Sequence, residues 1–70
     1  MKKRDLMKQL RSIAKGAQVD LELIREGANH ELWSLGGIRL IIPRHREINQ
    51  RTAEGIVKRA EEVNRSGNQT

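Results

Sequence analysis

The sequence predicts an α+β domain with the element order α-β-β-β-α, in which two helices cover one face of a three-stranded antiparallel sheet. Three observations support this fold class. Apolar residues recur with helical spacing near both ends of the chain, they alternate with polar residues in the middle, and turns that contain glycine divide that middle part. Because 70 residues make one domain and neither helix can bury its apolar stripe alone, both helices are expected on the same sheet face.

The first helix is predicted to run from Arg4 to Lys15. Its apolar residues recur every three or four positions, and basic residues occupy much of the remaining surface. The apolar residues are Leu6, Met7, Leu10, Ile13 and Ala14. Asp5 lies in the first turn, where the helix dipole favours a negative charge. Gly16 is the predicted end of the helix.

A first strand is predicted within residues 18–27. Val19, Leu21 and Leu23 alternate there with residues that point the other way, as expected when one face of a strand is buried. The segment 27–29 (Gly-Ala-Asn) then supplies a turn.

The second and third strands, residues 30–35 and 38–42, form a predicted hairpin. Gly36 and Gly37 join them, and this pair suits a two-residue turn because both glycines can take positive φ. Pro43 ends the third strand because proline has no N–H to donate to a neighbouring strand.

The sheet face turned away from the helices is expected to hold more apolar surface than a solvated face needs. By alternation this outer face is predicted to carry Asp20, Glu22, Ile24, Glu31, Trp33, Leu35, Arg39 and Ile41. Four of them, Ile24, Trp33, Leu35 and Ile41, are large and apolar. They are predicted to form either a small second cluster or a surface that binds a partner protein.

The second helix is predicted to begin at Asn49, whose side chain can cap the first turn. Ile48, just before the cap, can pack against Ala53. The apolar stripe of this helix continues to about residue 63. The chain is therefore predicted to form a single domain that spans residues 1–63. Residues 64–70 are polar and are expected to form a flexible tail.

The composition narrows the range of partners and cofactors. Fourteen Lys and Arg residues outweigh nine Asp and Glu residues, and the net charge of +5 favours nucleic acid, an acidic protein or a membrane surface as partner. The absence of cysteine excludes disulfides and cysteine-based zinc sites and fits a cytoplasmic location. No apolar run approaches the ~20 residues of a membrane span. A membrane-binding helix is disfavoured because the apolar stripe is narrow and lacks aromatic residues, so no membrane partner is expected. No cofactor is expected, because so small a domain has no room for a deep pocket.

Trp33 is the only aromatic residue. Proteins that bind single-stranded RNA stack its bases on several aromatic side chains. If this chain binds nucleic acid, it is therefore expected to do so through phosphates, shape and a few polar contacts.

His30 is the candidate catalytic residue because it stands where the turn meets the second strand. RNA cleavage without a metal needs a base that removes the proton from a 2′-hydroxyl group, and imidazole gains and loses a proton near neutral pH. The turn leaves the ring accessible while the sheet holds it in place. The alternative is an exposed turn histidine without a function, and spacing alone favours this alternative.

Basic residues concentrate around the start of the second helix, where backbone N–H groups and the helix dipole attract anions. The residues predicted to contact RNA phosphates there are Arg44, His45, Arg46 and Arg51. A second, weaker group on the first helix is Lys8, Arg11 and Lys15. His45 could also act as a second acid or base. The alternative to phosphate binding is that the basic residues before the second helix form a solvated loop. No metal site is predicted, because the two histidines lack the spacing of familiar ligand pairs.

Three segments, "KRDLMKQL", "REGANH" and "IPRHREIN", resemble the HicA family of toxins, the ribonuclease halves of bacterial toxin–antitoxin pairs. Family members begin with a basic helix and place a histidine in a Gly-containing turn before the second strand. They often continue from the third strand into a run of proline, histidine and basic residues. The resemblance covers about residues 1–63. The order α-β-β-β-α is also the layout of double-stranded-RNA-binding domains.

The resemblance implies a double-stranded-RNA-binding-domain-like fold, an mRNA interferase activity and a HicB-type antitoxin as partner. The family's catalytic histidine falls on His30. With this one accessible histidine and no cluster of metal ligands, cleavage is expected to be independent of metal ions. Two other functions remain open from the residues: a non-catalytic double-stranded-RNA-binding module, and an interaction protein whose charge is incidental.

Overall fold

The computed structural model describes residues 1–67 and confirms the predicted order α-β-β-β-α, with one short helix added at the end. The elements are α1 Lys3–Ala17, β1 Leu21–Glu26, β2 His30–Leu35, β3 Ile38–Pro43, α2 Gln50–Ala60 and α3 Glu62–Gly67. The strands form one antiparallel sheet in the order β1-β2-β3. The strand that begins with His30 is therefore the central one.

The core lies between the helices and one face of the sheet, which we call the inner face; the opposite face is the outer face. The buried core residues are Leu6, Met7, Leu10, Ala14, Leu35, Leu40, Ile42, Ile48, Ala53, Ile56, Ala60 and Val63. Those on α1 and α2 follow the helical spacing predicted from the sequence, so each helix presents one apolar stripe to the sheet.

The predicted end of α1 at Gly16 is wrong, because the helix includes this residue and ends at Ala17. The next residue, Gln18, takes the left-handed conformation with a φ of 59°. Its backbone N–H donates to the carbonyl of Lys15 at 3.1 Å, which closes the last turn. A glutamine thus occupies the position that glycine most often holds at a helix end.

The turn between β2 and β3 determines which residues of β2 face the core. Gly36 and Gly37 both have positive φ, 58° and 92°, as predicted. Leu35 pairs directly with Ile38, and cross-strand partners share a face of the sheet. Leu35 therefore lies on the inner face and is fully buried, so its predicted position on the outer face is wrong.

Trp33 and Glu31 lie on the inner face with Leu35, because alternate residues of a strand share a face. The indole of Trp33 packs against the core, and its N–H donates to Oε1 of Glu31 at 2.9 Å. The predicted outer positions of these two residues are wrong as well. Neither Trp33 nor Leu35 can bind a partner from the outer face.

Ile24 and Ile41 keep their predicted exposure, at 46% and 65%. Ile41 pairs with Leu32, which is half-buried on the outer face. Ile24 lies at a β-bulge, because the pairing of β1 with β2 shifts between Leu23 and Arg25. The exposed apolar surface of the outer face is therefore smaller than predicted and includes Leu32.

Asn49 caps α2 as predicted, and its side-chain oxygen accepts the backbone N–H of Arg51 at 2.8 Å. Ile48, just before the cap, and Ala53, in the first turns of α2, are both buried in the core. The cap and these buried residues fix the point at which the chain turns from the β3–α2 loop into the helix.

A break after Ala60 separates α2 from α3, and Val63 on α3 still reaches the core. The predicted flexible tail, residues 64–70, begins inside α3, and residues 68–70 lie outside the described part of the chain. Within residues 1–67, no helix is long and apolar enough to cross a membrane.

We expect Gly36→Ala to destabilise the fold. The φ of Gly36 is 58°, and an added Cβ would lie 2.9 Å from side-chain carbons of Val19 and Val63. A left-handed residue other than glycine costs roughly 1–2 kcal/mol before the close contacts are relieved. Chemical denaturation measures the change in the free energy of unfolding.

Gly55→Ala is the matched control for this substitution. Gly55 lies inside α2, and an added Cβ would have no neighbour within 4 Å. Alanine at this position should stabilise the fold by about 0.5–1 kcal/mol. A Gly36→Ala variant as stable as the Gly55→Ala variant would contradict the assigned turn.

Candidate functional site

A concave surface with strong positive charge lies between the first turns of α1 and the loop that joins β3 to α2. We call it the basic groove; its volume is about 720 Å³. Its lining residues are Lys2, Lys3, Arg4, Met7, Arg11, Arg44, His45, Arg46 and Glu47. Six of these residues are cationic and one is anionic, so the groove attracts anions.

Backbone pairing holds the two walls of the groove together. The N–H of Lys3 donates to the carbonyl of Arg46 at 2.7 Å. Lys2 and Glu47 form an isolated antiparallel bridge beside this bond. The segment that leads into α1 is thus paired with the β3–α2 loop as one strand pairs with another. This pairing brings basic residues from two distant parts of the sequence to one surface.

The groove brings together four of the seven residues predicted to bind RNA. These four are Arg11, Arg44, His45 and Arg46. The other three, which are exposed and do not line it, are Lys8, Lys15 and Arg51. The predicted basic loop and the predicted basic helix therefore meet, although only one residue of the helical group reaches the groove.

Sequence reasoning missed three basic residues of the groove, Lys2, Lys3 and Arg4. Helical periodicity could have identified Arg4, because it precedes Arg11 by seven residues and so lies two turns earlier on the same face of α1. No local pattern indicates the other two, because their position depends on the pairing with the β3–α2 loop.

His30 lies at the same end of the sheet but on the outer face, and it does not line the groove. It pairs with Pro43, and its side chain is exposed. Its carbonyl accepts the N–H of Gly27 at 2.7 Å, which closes the preceding turn. Its imidazole makes no hydrogen bond to any residue that the structure describes. The ring is therefore accessible while its backbone is fixed.

Glu31, the next residue, is the centre of a polar cluster beside the groove. Its Oε1 accepts hydrogen bonds from Trp33 at 2.9 Å and from the ammonium of Lys3 at 2.8 Å, and its side chain is only 11% exposed. Its Oε2 lies 4.0 Å from Nε of Arg44. Burial raises the pKa of this carboxyl group, but the two hydrogen bonds and the nearby positive charges outweigh burial and hold the pKa below its ordinary value.

Arg44 lines the groove but is already bound to the turn that carries His30. Its Nη1 donates to the carbonyl of Gly27 at 2.8 Å, and its backbone N–H donates to the carbonyl of Asn29 at 3.0 Å. Its Nη2 lies 3.9 Å from the carboxylate of Glu26. The guanidinium therefore connects the β3–α2 loop to the β1–β2 turn.

Acidic residues at this end of the sheet form ion pairs with basic side chains. Glu31 is paired with Lys3, and Glu26 is paired with Arg44. No group of three or more His, Cys, Asp or Glu side chains within residues 1–67 is arranged to hold a metal.

No protein-family model, curated protein or solved structure matches this chain. The geometry of the basic groove, the turn and the outer face is therefore the structural basis for assigning a function.

We expect Glu31 to make the stability of the fold depend on pH. Because its pKa is lower in the folded than in the unfolded chain, the ionised carboxylate stabilises the fold above about pH 4.5, and this contribution is lost as the pH falls through the lowered value. Glu31→Gln should therefore be less stable than wild type near neutral pH and should lose less stability on acidification. Chemical denaturation at a series of pH values measures both effects.

Glu22→Gln is the matched control, because Glu22 is an exposed residue of β1. It should change neither the stability near neutral pH nor the acid response by a comparable amount. If Glu31→Gln retained the full acid sensitivity of the wild type, the stabilising role of the carboxylate cluster would be refuted.

Proposed function

We propose that this chain is a ribonuclease toxin of the HicA type, a metal-independent endoribonuclease that cleaves messenger RNA. One observation carries the proposal: an accessible imidazole, that of His30, stands on a hydrogen-bonded turn at the same end of the sheet as the basic groove. The groove supplies positive charge for phosphates, and imidazole is the side chain most often used as a general acid or base. The segments that resemble the HicA family contain both features.

In the proposed reaction, His30 removes the proton of a ribose 2′-hydroxyl group. The 2′-oxygen attacks the adjacent phosphorus, and the new P–O bond forms as the bond to the 5′-oxygen of the next nucleotide breaks. The departing oxygen takes up a proton, which solvent can supply at an exposed site. The products are a 2′,3′-cyclic phosphate and a 5′-hydroxyl end, and no step requires a metal ion.

The basic groove is the proposed site for RNA phosphates, because guanidinium groups match phosphate oxygens in geometry. The residues proposed to contact phosphate there are Lys2, Arg4, Arg11, His45 and Arg46. Lys8 and Lys15 continue the same face of α1 beyond the groove, so that an RNA strand could follow the helix. Arg51, in the first turn of α2, is proposed as a separate contact.

A non-catalytic double-stranded-RNA-binding module is the second candidate. The order α-β-β-β-α and the basic groove favour it, since neither feature requires a function for His30. Such a module would protect RNA where an endoribonuclease would cleave it, so one incubation with RNA distinguishes the two.

The proposed protein partner is a HicB-type antitoxin that binds the outer face. Leu32 and Ile41 pair with each other on that face, and His30 lies on it two residues before Leu32. One partner could therefore cover the exposed apolar surface and the imidazole together, and inhibition would be steric. The proposed location is the cytoplasm, which holds messenger RNA.

We expect His30→Ala to lower the rate of RNA cleavage by about 10²–10⁴-fold, the range typical of a general acid or base. The imidazole is exposed and makes no hydrogen bond to a described residue, so the fold and RNA binding should survive the substitution. Cleavage of a labelled RNA, with and without EDTA, measures the rate and the metal requirement.

Circular dichroism and RNA affinity of the variant are the controls. Cleavage by His30→Ala at the wild-type rate would show that another group performs the reaction. Wild-type activity that disappears in EDTA and returns with added magnesium would refute the metal-independent mechanism.

We expect Ile41→Ala to weaken the complex with the antitoxin encoded beside this chain by more than about 1 kcal/mol, as for an interface anchor. Ile41 is 65% exposed, so the substitution should leave the free protein folded. Calorimetry of the purified pair measures the affinity. Leu23→Ala is the matched control, because Leu23 is 44% exposed but pairs with Trp33 on the inner side. Equal affinities of both variants and the wild type would exclude the outer face as the docking surface.

A further inference from the structure

We propose that Arg44 is a positioning residue that fixes the turn carrying His30, and that Glu31 holds the guanidinium of Arg44 in the orientation this requires. The inference deepens the proposed function and rests on it, since it assigns a role in the same reaction. Part of it, the rigidity of the turn, can be measured without RNA.

Three hydrogen bonds close the turn between β1 and β2. The N–H of Gly27 donates to the carbonyl of His30 at 2.7 Å. Arg44 supplies the other two, with its backbone N–H bound to the carbonyl of Asn29 at 3.0 Å and its Nη1 bound to the carbonyl of Gly27 at 2.8 Å. The turn is also tight, because a Cβ added at Gly27 would lie 3.0 Å from the carbonyl oxygen of His30. One arginine thus ties both ends of the segment that delivers the imidazole.

Carboxylates on two strands hold the guanidinium in place. Nη2 of Arg44 lies 3.9 Å from Glu26 at the end of β1, and Nε lies 4.0 Å from Glu31 in β2. Glu31 is itself fixed by Lys3 and Trp33, and its side chain is almost buried. The orientation of Arg44 is therefore anchored, through Glu31 and the indole, to the hydrophobic core.

The contrast with Arg46 separates positioning from phosphate binding. Both arginines line the groove and are two residues apart. The side chain of Arg46 is exposed and forms no hydrogen bond or ion pair with the residues described. Its guanidinium group is therefore available to bind a phosphate. The guanidinium of Arg44 is engaged by a carbonyl and lies near two carboxylates, which also offset its charge. Arg46 and the other basic residues of the groove, rather than Arg44, are therefore expected to bind phosphate.

The test compares Arg44→Gln and Arg44→Lys with Arg46→Gln in the full chain, using cleavage of a short RNA oligonucleotide. A small misplacement of a catalytic group can cost on the order of 10²-fold in rate, so both Arg44 variants should lose about that factor in kcat. Lysine should not rescue, because one ammonium cannot reproduce the planar fork. Arg44→Gln should leave the slope of log affinity against log salt unchanged, whereas Arg46→Gln should raise KM and lower that slope by about 0.7–0.9.

Amide hydrogen exchange of the free protein tests the clamp without RNA. The amide of Gly27 should exchange at least about tenfold faster in Arg44→Lys and in Glu31→Gln, since local opening of the turn becomes easier. Amides of the central strand pairs, such as that of Leu40, should keep their protection and so show that the fold is intact.

Rescue of kcat by Arg44→Lys, or a salt slope lowered by Arg44→Gln, would overturn the positioning role and make Arg44 a phosphate contact. Unchanged exchange at Gly27 in both variants would overturn the clamp itself. A wild-type protein that binds RNA without cleaving it would refute the proposed function, and the exchange experiment would then decide the clamp independently.

Discussion

The Gly36–Gly37 turn determines which face of the sheet His30 and Glu31 occupy at the far end of β2. Because two residues separate β2 from β3, Leu35 stands opposite the first residue of β3 and must share its buried face. Because side chains alternate between the two faces along β2, the face of Leu35 also fixes the faces of the first two residues of the strand. His30 is directed outward and Glu31 inward. A pairing register shifted by one residue would exchange the faces of these two residues, placing the imidazole beneath the helices and the carboxylate in solvent.

Two adjacent residues of β2 therefore serve two different surfaces. Glu31 binds Lys3 of α1 and lies within ion-pair distance of Arg44, and so connects both walls of the basic groove. The ring of His30 has no hydrogen-bonding partner among the described residues. Its backbone is held by the preceding turn, to which Arg44 donates two hydrogen bonds. Glu26 and Glu31 form ion pairs with Lys3 and Arg44, whereas Arg46, the residue proposed to bind phosphate, is exposed. The residues proposed for RNA binding and for catalysis therefore lie on opposite faces of one sheet end and are connected through a few ion pairs and hydrogen bonds.

The helices, the three strands, the hairpin turn and the cap at Asn49 were predictable from the sequence, because each has a local signal in spacing or turn chemistry. The faces of β2 were not read correctly. Leu32 and Trp33 are adjacent and both apolar, so hydrophobicity does not show which of them is buried. The two-residue turn decides which of them is buried, because it pairs Leu35 with Ile38 and residues two apart in a strand share a face. This constraint was present in the sequence.

The site was predictable only in part, for a different physical reason. The exposed position of His30 at the start of a strand follows from the local pattern. The groove does not, because the pairing of Lys2 with Glu47 joins segments that are far apart in the chain. Sequence also cannot distinguish an arginine that meets phosphate from one that binds a turn. Arg44 and Arg46 have the same chemistry and nearly the same position, and only their contacts separate them.

We propose that one RNA strand reaches both the groove and the imidazole, although they lie on opposite faces of the sheet end. An NMR titration with a short RNA oligonucleotide whose 2′-hydroxyl groups are methylated, and which therefore cannot be cleaved, tests this directly. We predict that the ring signals of His30 and the amide signals of Lys3 and Arg46 shift along one binding curve, and that added salt weakens all of them together. Shifts confined to the groove, with the ring of His30 unaffected at saturation, would contradict the account.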